Sequence, residues 1–217
     1  MPPLLTLLKF RMTSPVSIFN IALGWLGESS ITSFDDPSDS AELGKNNYEA
    51  IRDAVLEEMA WTFAVRRIEP SKVTADPIYG FSAAFQIPAE VLRILTVSNA
   101  ASVDATSSSA DKYDTGQGDE SKIPWNREED KILTNNAERI YMRAIVQITD
   151  PNKYSPSFVQ ALAARLAADL CIPLTQDEKV QDKMEKLYEK KLAKAAMNDG
   201  RQGRSERTRS NSLTRVR

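Results

Sequence analysis

The 217-residue chain contains no histidine. That removes the commonest general base, the commonest metal ligand and the usual member of a catalytic triad together. It has a single cysteine, Cys171, so an internal disulfide framework is excluded. Cys171 sits in the apolar run LAADLCIPL and reads as a small buried hydrophobe. No apolar run approaches the roughly 18–20 residues that a membrane span needs. The N-terminal PPLLTLL opens with two prolines and lacks a basic flank and a small-residue cleavage site, so it is a poor signal peptide. The expectation is a soluble chain made in a cytoplasm.

Phosphate-binding and metal motifs are also missing. There is no G-x-x-x-x-G-K-[ST], no G-x-G-x-x-G after a strand, no H-E-x-x-H and no C-x-x-C. DTGQGDE holds a G-x-G, but in a polar stretch with no helix to follow. Asp35, Asp36 and Asp39 cluster in SFDDPSDSAE without the glycine and distal glutamate of a calcium loop. They read instead as acids around a helix N-terminus, where the dipole favours them. Thirty acids guarantee carboxylate pairs somewhere, but none can be singled out as a glycosidase pair. The chain is therefore expected to be no enzyme and to use no cofactor or metal.

What is present is enough apolar material for a core, 41% of residues. A first helix is announced by Ser14 as cap and Pro15 at the first helical position, with Ile18, Ala22, Trp25 and Leu26 on one face and Gly27 as terminator. A second runs from about Ser40 to Trp61 on the stripe Tyr48, Ile51, Val55, Met59. WTFAVRRIEP reads as a strand ended by Pro70, and EVLRILTV and KILT read as strands too. RIYMRAIVQIT alternates Ile140, Met142, Ala144, Val146 and Ile148 with Arg139, Tyr141, Arg143 and Gln147, the period of a half-buried strand. A third helix starts at Ser155-Pro156, keeps Phe158, Leu162, Leu166 and Leu170 on one line, and breaks at Pro173. A fourth opens on a Thr175/Glu178 capping box, carries Val180, Met184, Leu187 and Leu192, and ends near Asn198–Gly200.

These elements predict a mainly α chain. A four-helix bundle core would carry a small antiparallel β-sheet insertion and an extended C-terminal tail. The divisions are an N-terminal extension over 1–13; a helical hairpin over 14–62; a β-rich insertion over 63–150 containing a polar loop at 98–122; a second helical hairpin over 151–199; and an Arg-rich tail over 200–217. A loop as long and polar as 98–122 is expected either to serve a partner or to stay unfolded. Charge is divided sharply. Residues 201–217 hold six arginines and one glutamate, whereas the whole chain is at −2, which leaves the first 200 residues at −7.

Several stretches follow in an order that carries a resemblance: VSIFNIALGWLGESSITSFDDPSDSA, YEAIRDAVLEEMAWTFAVRR, IPAEVLRILTV, ILTN, QITDPNKYSPSFVQALAARLAADLCIPLTQDEKV and LYEKKLAKA. The most specific pieces are Asn20-x-Ala22-Leu23 with Leu26-Gly27, Trp61-Thr62-Phe63-Ala64, and Ala163-Ala164-Arg165-Leu166-Ala167. Over roughly Val16 to Ala196 the chain resembles the head–tail adaptor proteins of tailed bacteriophages, the tail tubular protein A group of short-tailed phages. Residues 1–11 and the loop 98–122 depart from that pattern.

The resemblance implies a structural virion protein of the neck or tail. It would be a homo-oligomeric ring, typically of twelve copies, seated between the portal protein and the tail nozzle or tail tube protein. Double-stranded DNA would pass through its channel without sequence-specific binding, and no membrane is involved. The helices would form the ring body, and the sheet with its loops would face the next tail component. The tail would dock on the portal through Arg201, Arg204, Arg207, Arg209, Leu213, Arg215, Val216 and Arg217. There the arginines would pair with carboxylates, and Leu213 and Val216 would act as apolar anchors. Gly200 and Gly203 would release it from the fourth helix. The −7 body suits walls that do not grip a sliding polyanion, so channel-facing positions are expected to be acidic or polar. Two other readings stay open: a DNA-binding virion protein that uses the Arg-rich tail, and an adaptor with cell-wall glycan hydrolase activity.

Overall fold

A computed structural model describes residues 13–75, 77–99, 123–135 and 138–202. It contains five α-helices: α1 (Pro15–Leu26), α2 (Asp39–Glu58), α3 (Pro156–Asp169), α4 (Cys171–Thr175) and α5 (Glu178–Gly200). Six strands join them: β1 (Val65–Ile68), β2 (Ala83–Gln86), β3 (Val91–Ser98), β4 (Trp125–Glu128), β5 (Lys131–Thr134) and β6 (Tyr141–Val146). They form two three-stranded antiparallel sheets, in the orders β1-β6-β3 and β2-β5-β4.

The expected four-helix bundle with one small inserted sheet is corrected by this architecture. The fold is mixed α+β, with 47% of the described residues in helices and 19% in strands, and its helices do not make two hairpins packed as a bundle. Helix α3 is central. It packs against α5 most extensively, then α1, then α2, whereas α1 and α2 meet each other over a small area. Helix α2 turns part of its apolar side to β3 and β6. The bundle expectation assumed that helical stripes can be covered only by other helices. Here sheet residues cover them and supply much of the same core, among them Val91, Val97, Met142, Ala144, Ile145 and Val146.

Alanine makes the centre possible. Ala161, Ala163, Ala164 and Ala167 of α3 are fully buried beside Phe158, Leu162 and Leu166, so neighbours approach α3 from several sides. Leu170 closes the expected line of four and is also buried. Beneath the start of α3 lies an aromatic cluster, with Trp61 and Phe63 edge-on to Phe158 at 5.0 and 5.1 Å and Tyr154 4.9 Å from Phe158.

Helix ends follow local chemistry. Ser14 caps α1 in a reciprocal box with Ser17, Pro15 sits in the first turn, and Gly27 closes the helix at φ 80°. Ser38 caps α2, and Asp39 lies in its first turn. Asp36 instead ties the preceding loop, accepting from the N–H groups of Thr32 and Ser33. Asp35 pairs with Lys45 at 2.7 Å.

The Thr175/Glu178 capping box is not formed. Asp177 caps α5 by accepting from the N–H groups of Lys179 and Val180. The Thr175 hydroxyl, at the end of α4, donates back to the carbonyl of Cys171 at its start. Pro173 lies inside that short helix, because a proline in the first turn needs no N–H partner. Two strands had no forecast, β2 (AAFQ) and β4 (WNRE). Strand β6 matches its alternation, with Ile140, Met142, Ala144 and Val146 buried, and Ile145 buried as well on the other face. Among the described residues no helix is long and apolar enough to cross a membrane.

Candidate functional site

The C-terminal end of α5 is where the Arg-rich segment leaves the body. Helix α5 has 23 residues, about 35 Å at ~1.5 Å per residue. Its inner side is carried by Tyr188, Ala195 and Asp199, all buried, with Met184, Leu187 and Leu192 packed at the margin. The Tyr188 hydroxyl donates to the Glu58 carboxylate at the end of α2, and the Arg165 guanidinium lies 5.3 Å over the Tyr188 ring. Burial and the neighbouring Glu58 carboxylate both push the Tyr188 phenol well above its ordinary pKa.

Asp199 is unusual for its position. A carboxylate in the last turn of a helix opposes the dipole, and this one is 7% exposed. Its charge is satisfied from the turn that leads from α2 into β1. The Thr62 N–H donates to Oδ2 at 3.0 Å, and the Thr62 hydroxyl donates to Oδ1 at 2.7 Å. Gln202 Oε1 stands 3.3 Å from the same hydroxyl. One residue earlier, Asn198 Nδ2 donates to Ser157 Oγ at 2.8 Å, in the first turn of α3.

The Thr62 turn is itself held. The Trp61 indole N–H donates to the Val55 carbonyl at 2.9 Å, and the Ala64 and Val65 N–H groups close onto the Trp61 carbonyl. The end of α5 is thus fixed to two separate parts of the body, 41 and 137 residues away in sequence.

Of the eight tail residues singled out from sequence, Arg201 is described. It follows the last helical residue, is exposed, and places Nη2 3.9 Å from Met197 Sδ. Arg204, Arg207, Arg209, Leu213, Arg215, Val216 and Arg217 lie outside the described residues, as do residues 1–12 and 100–122, most of the polar loop. The residues that fix the root of the tail, Asp199, Thr62, Gln202 and Asn198, were not anticipated. One signal was available: an aspartate in the final turn of a helix needs a donor from elsewhere.

The stretches that carry the family resemblance take structural places. The Asn20 side chain accepts from the Ile31 N–H and donates to the Ile31 carbonyl, pinning the connector after α1. Trp61 and Ala64 are buried, and Ala163, Ala164, Leu166 and Ala167 form the inside of α3. Around α2, Arg52 is 3% exposed and is held by Asp53, with Nε 2.8 Å from Oδ1. Gln147 donates to the same carboxylate. Among the described residues no group of three or more acids or cysteines is placed to hold a metal ion. No protein-family model matches the chain, and no curated protein matches it either.

Proposed function

We propose that this chain is a head–tail adaptor of a tailed bacteriophage, a virion protein that forms a ring between portal and tail and leaves a channel for the genome. One observation carries the reading furthest: the Arg-rich segment starts from a helix end bolted to the body through Asp199–Thr62 and Asn198–Ser157. A docking arm works best from a rigid root, because a fixed origin limits the volume that the arm must search and raises its effective concentration at the partner. Arginine suits the task, since its planar fork pairs bidentately with carboxylates. Around one ring many such arms engage together, so each one after the first docks at a high effective concentration.

The geometry also dictates how the proposal is tested. A truncation after Asn198 would remove Asp199 and Gln202 and so loosen the body itself. Deleting residues 203–217 leaves every described contact of α5 in place. That variant is expected to fold and assemble like the full chain but to fail to attach to portal-bearing heads, as seen by negative-stain microscopy and by co-sedimentation. Attachment at the full-length level would sink the proposal.

A further inference from the structure

We propose that α5 is the seam between neighbouring copies of this chain, with the acidic stripe of one α5 lying against the lysine stripe of the next, parallel and at the same level. This rests on the ring reading above and names the surface that would join one copy to its neighbour.

The pattern is written along the helix. Four times an acid is followed directly by a lysine: EK at 178, DK at 182, EK at 185 and EK at 189. The steps between these pairs are 4, 3 and 4 residues, which return to nearly the same side of a helix with about 3.6 residues per turn. At about 100° per residue, the four acids fall in one sector of about 60° and the four lysines in another, about 100° further round. The lysines point away from buried Tyr188 and Ala195, and the acids lie about a quarter-turn from the lysines, to one side. All eight side chains are exposed, and α3 and α4 pack on the inner side of the helix. Among the described residues none of the eight forms an ion pair.

Within one copy this arrangement is unfavourable. Adjacent residues on a helix do not face each other, so an acid does not neutralise the lysine that follows it. Residues three and four apart do face each other, and of the 11 charged pairs at those spacings in α5, 8 are of like sign. Each stripe therefore repels itself along its length, and a stripe of opposite charge laid beside it removes that repulsion.

The pattern also selects the direction of the neighbour. An acid and its lysine differ in height by one residue, about 1.5 Å along the axis. Two parallel α5 helices at the same level set each acid beside a lysine of the neighbour, over a seam of about 18 Å. Antiparallel helices related by a twofold axis would set acid on acid and lysine on lysine. Rotation about an axis running along α5 keeps every copy at one height, the register that the pattern needs. Acidic flank against basic flank is a heterologous contact, the kind that closes into a ring when the rotation allows. The spacing continues beyond the charges. Ala196 extends the acidic side and Met197, 54% exposed, extends the lysine side, so the same contact seats an exposed methionine against a small residue. Parallel copies also send the C-terminal end of every α5, where Arg201 follows, to one side of the assembly.

The test is charge reversal with a swap. K186E/K190E makes both flanks acidic over that stretch, and E185K/E189K makes both basic. Each should raise the concentration for half-assembly about tenfold or more in sedimentation velocity at low salt. Combining the four changes should restore assembly, and so should mixing the two double variants in equal amounts. High salt should weaken the wild-type association, because the Debye length shrinks to ~3 Å at 1 M. All four positions are exposed, so unchanged circular dichroism and melting temperature serve as the folding control. A wild-type oligomer indifferent to both reversals, or a four-fold variant that stays dissociated, would overturn the seam while leaving the ring reading intact. A wild-type chain that sediments as a monomer under every condition would refute the ring reading. Loss of duplex-DNA binding in K186E/K190E with self-association unchanged would overturn the seam in favour of a polyanion site.

Discussion

Replacing Gly44 with alanine tests how α1, α2 and the connector between them pack. Gly44 lies in the middle of α2 and is buried. In an open helix the change would be favourable by about 1 kcal/mol, since glycine loses more backbone entropy than alanine. Here a Cβ would stand 2.7 Å from Phe34 Cε1 and 2.9 Å from both Cε1 and Cζ of Phe19. Those distances are about 0.5–0.7 Å inside the 3.4 Å at which ordinary contact begins. Phe19 is fully buried and cannot retreat, and Phe34 is wedged between Phe19, edge-on at 5.5 Å, and Tyr48, tilted at 5.7 Å. Overpacking of this kind costs about 1–3 kcal/mol, so after the propensity gain of about 1 kcal/mol G44A should be destabilised by up to about 2 kcal/mol.

Gly24 supplies the internal control. It is helical in α1 and exposed, and a Cβ there would meet nothing within 4 Å. G24A should therefore gain about 0.5–1 kcal/mol. Urea unfolding of the two variants should move the midpoint in opposite directions with unchanged slope. A double variant, G44A with Phe34→Leu, should recover part of the loss, because a shorter side chain vacates the space that the new methyl needs. If G44A proves as stable as G24A, the close approach of α2 to the two phenylalanines is wrong and the packing argument falls with it.

Trp61→Phe keeps most of the apolar volume but leaves the Val55 carbonyl, in the last turn of α2, without its indole donor. It should cost about 1–3 kcal/mol in denaturant unfolding, and Trp61→Tyr should not rescue it. Asp36 is held below its ordinary pKa, first by the Thr32 N–H and then by the Ser33 N–H. Its depressed folded value means that its contribution is present above the unfolded carboxyl range, near 4, and is lost as pH falls through the folded value. The melting temperature of D36N should consequently lie below wild type at pH 7 and converge on it toward pH 2–3. A constant offset across that range would refute the assignment.

Helices were legible because their signals are local. Ser14-Pro15 and Ser155-Pro156 start α1 and α3 as the cap chemistry requires, and the Phe158–Leu162–Leu166–Leu170 line is buried throughout. The fourth helix shows where local reading fails. Thr175 and Glu178 satisfy the capping-box spacing, yet the chain places Asp177 at the cap, because its carboxylate reaches two N–H groups while the Thr175 hydroxyl is spent on α4. Strands β2 and β4 were illegible for a different reason. AAFQ and WNRE lack the β-branched residues that mark KILT, four residues are too few for a period of two to assert itself, and pairing with β5 makes them strands. The bundle forecast failed at the next level up: a helical stripe announces that something covers it, and β3 and β6 cover part of α2.

The same division separates what the family resemblance can and cannot support. Asn20, Trp61, Ala163, Ala164 and Ala167 secure a connector, a turn and the centre of α3. They specify packing, and packing fixes where surfaces point without saying what meets them. Juxtapositions made across elements are of another kind. Arg67 and Arg143 are 76 positions apart and become neighbours through the register of β1 on β6. Asp199 and Thr62 are 137 apart and become one anchor through the docking of α5. Neither juxtaposition leaves a periodic trace in the sequence, since each depends on a single residue pair across elements. Deleting residues 203–217 therefore asks about function alone, whereas cutting into Trp61 or α3 would remove the scaffold that holds the root of the tail.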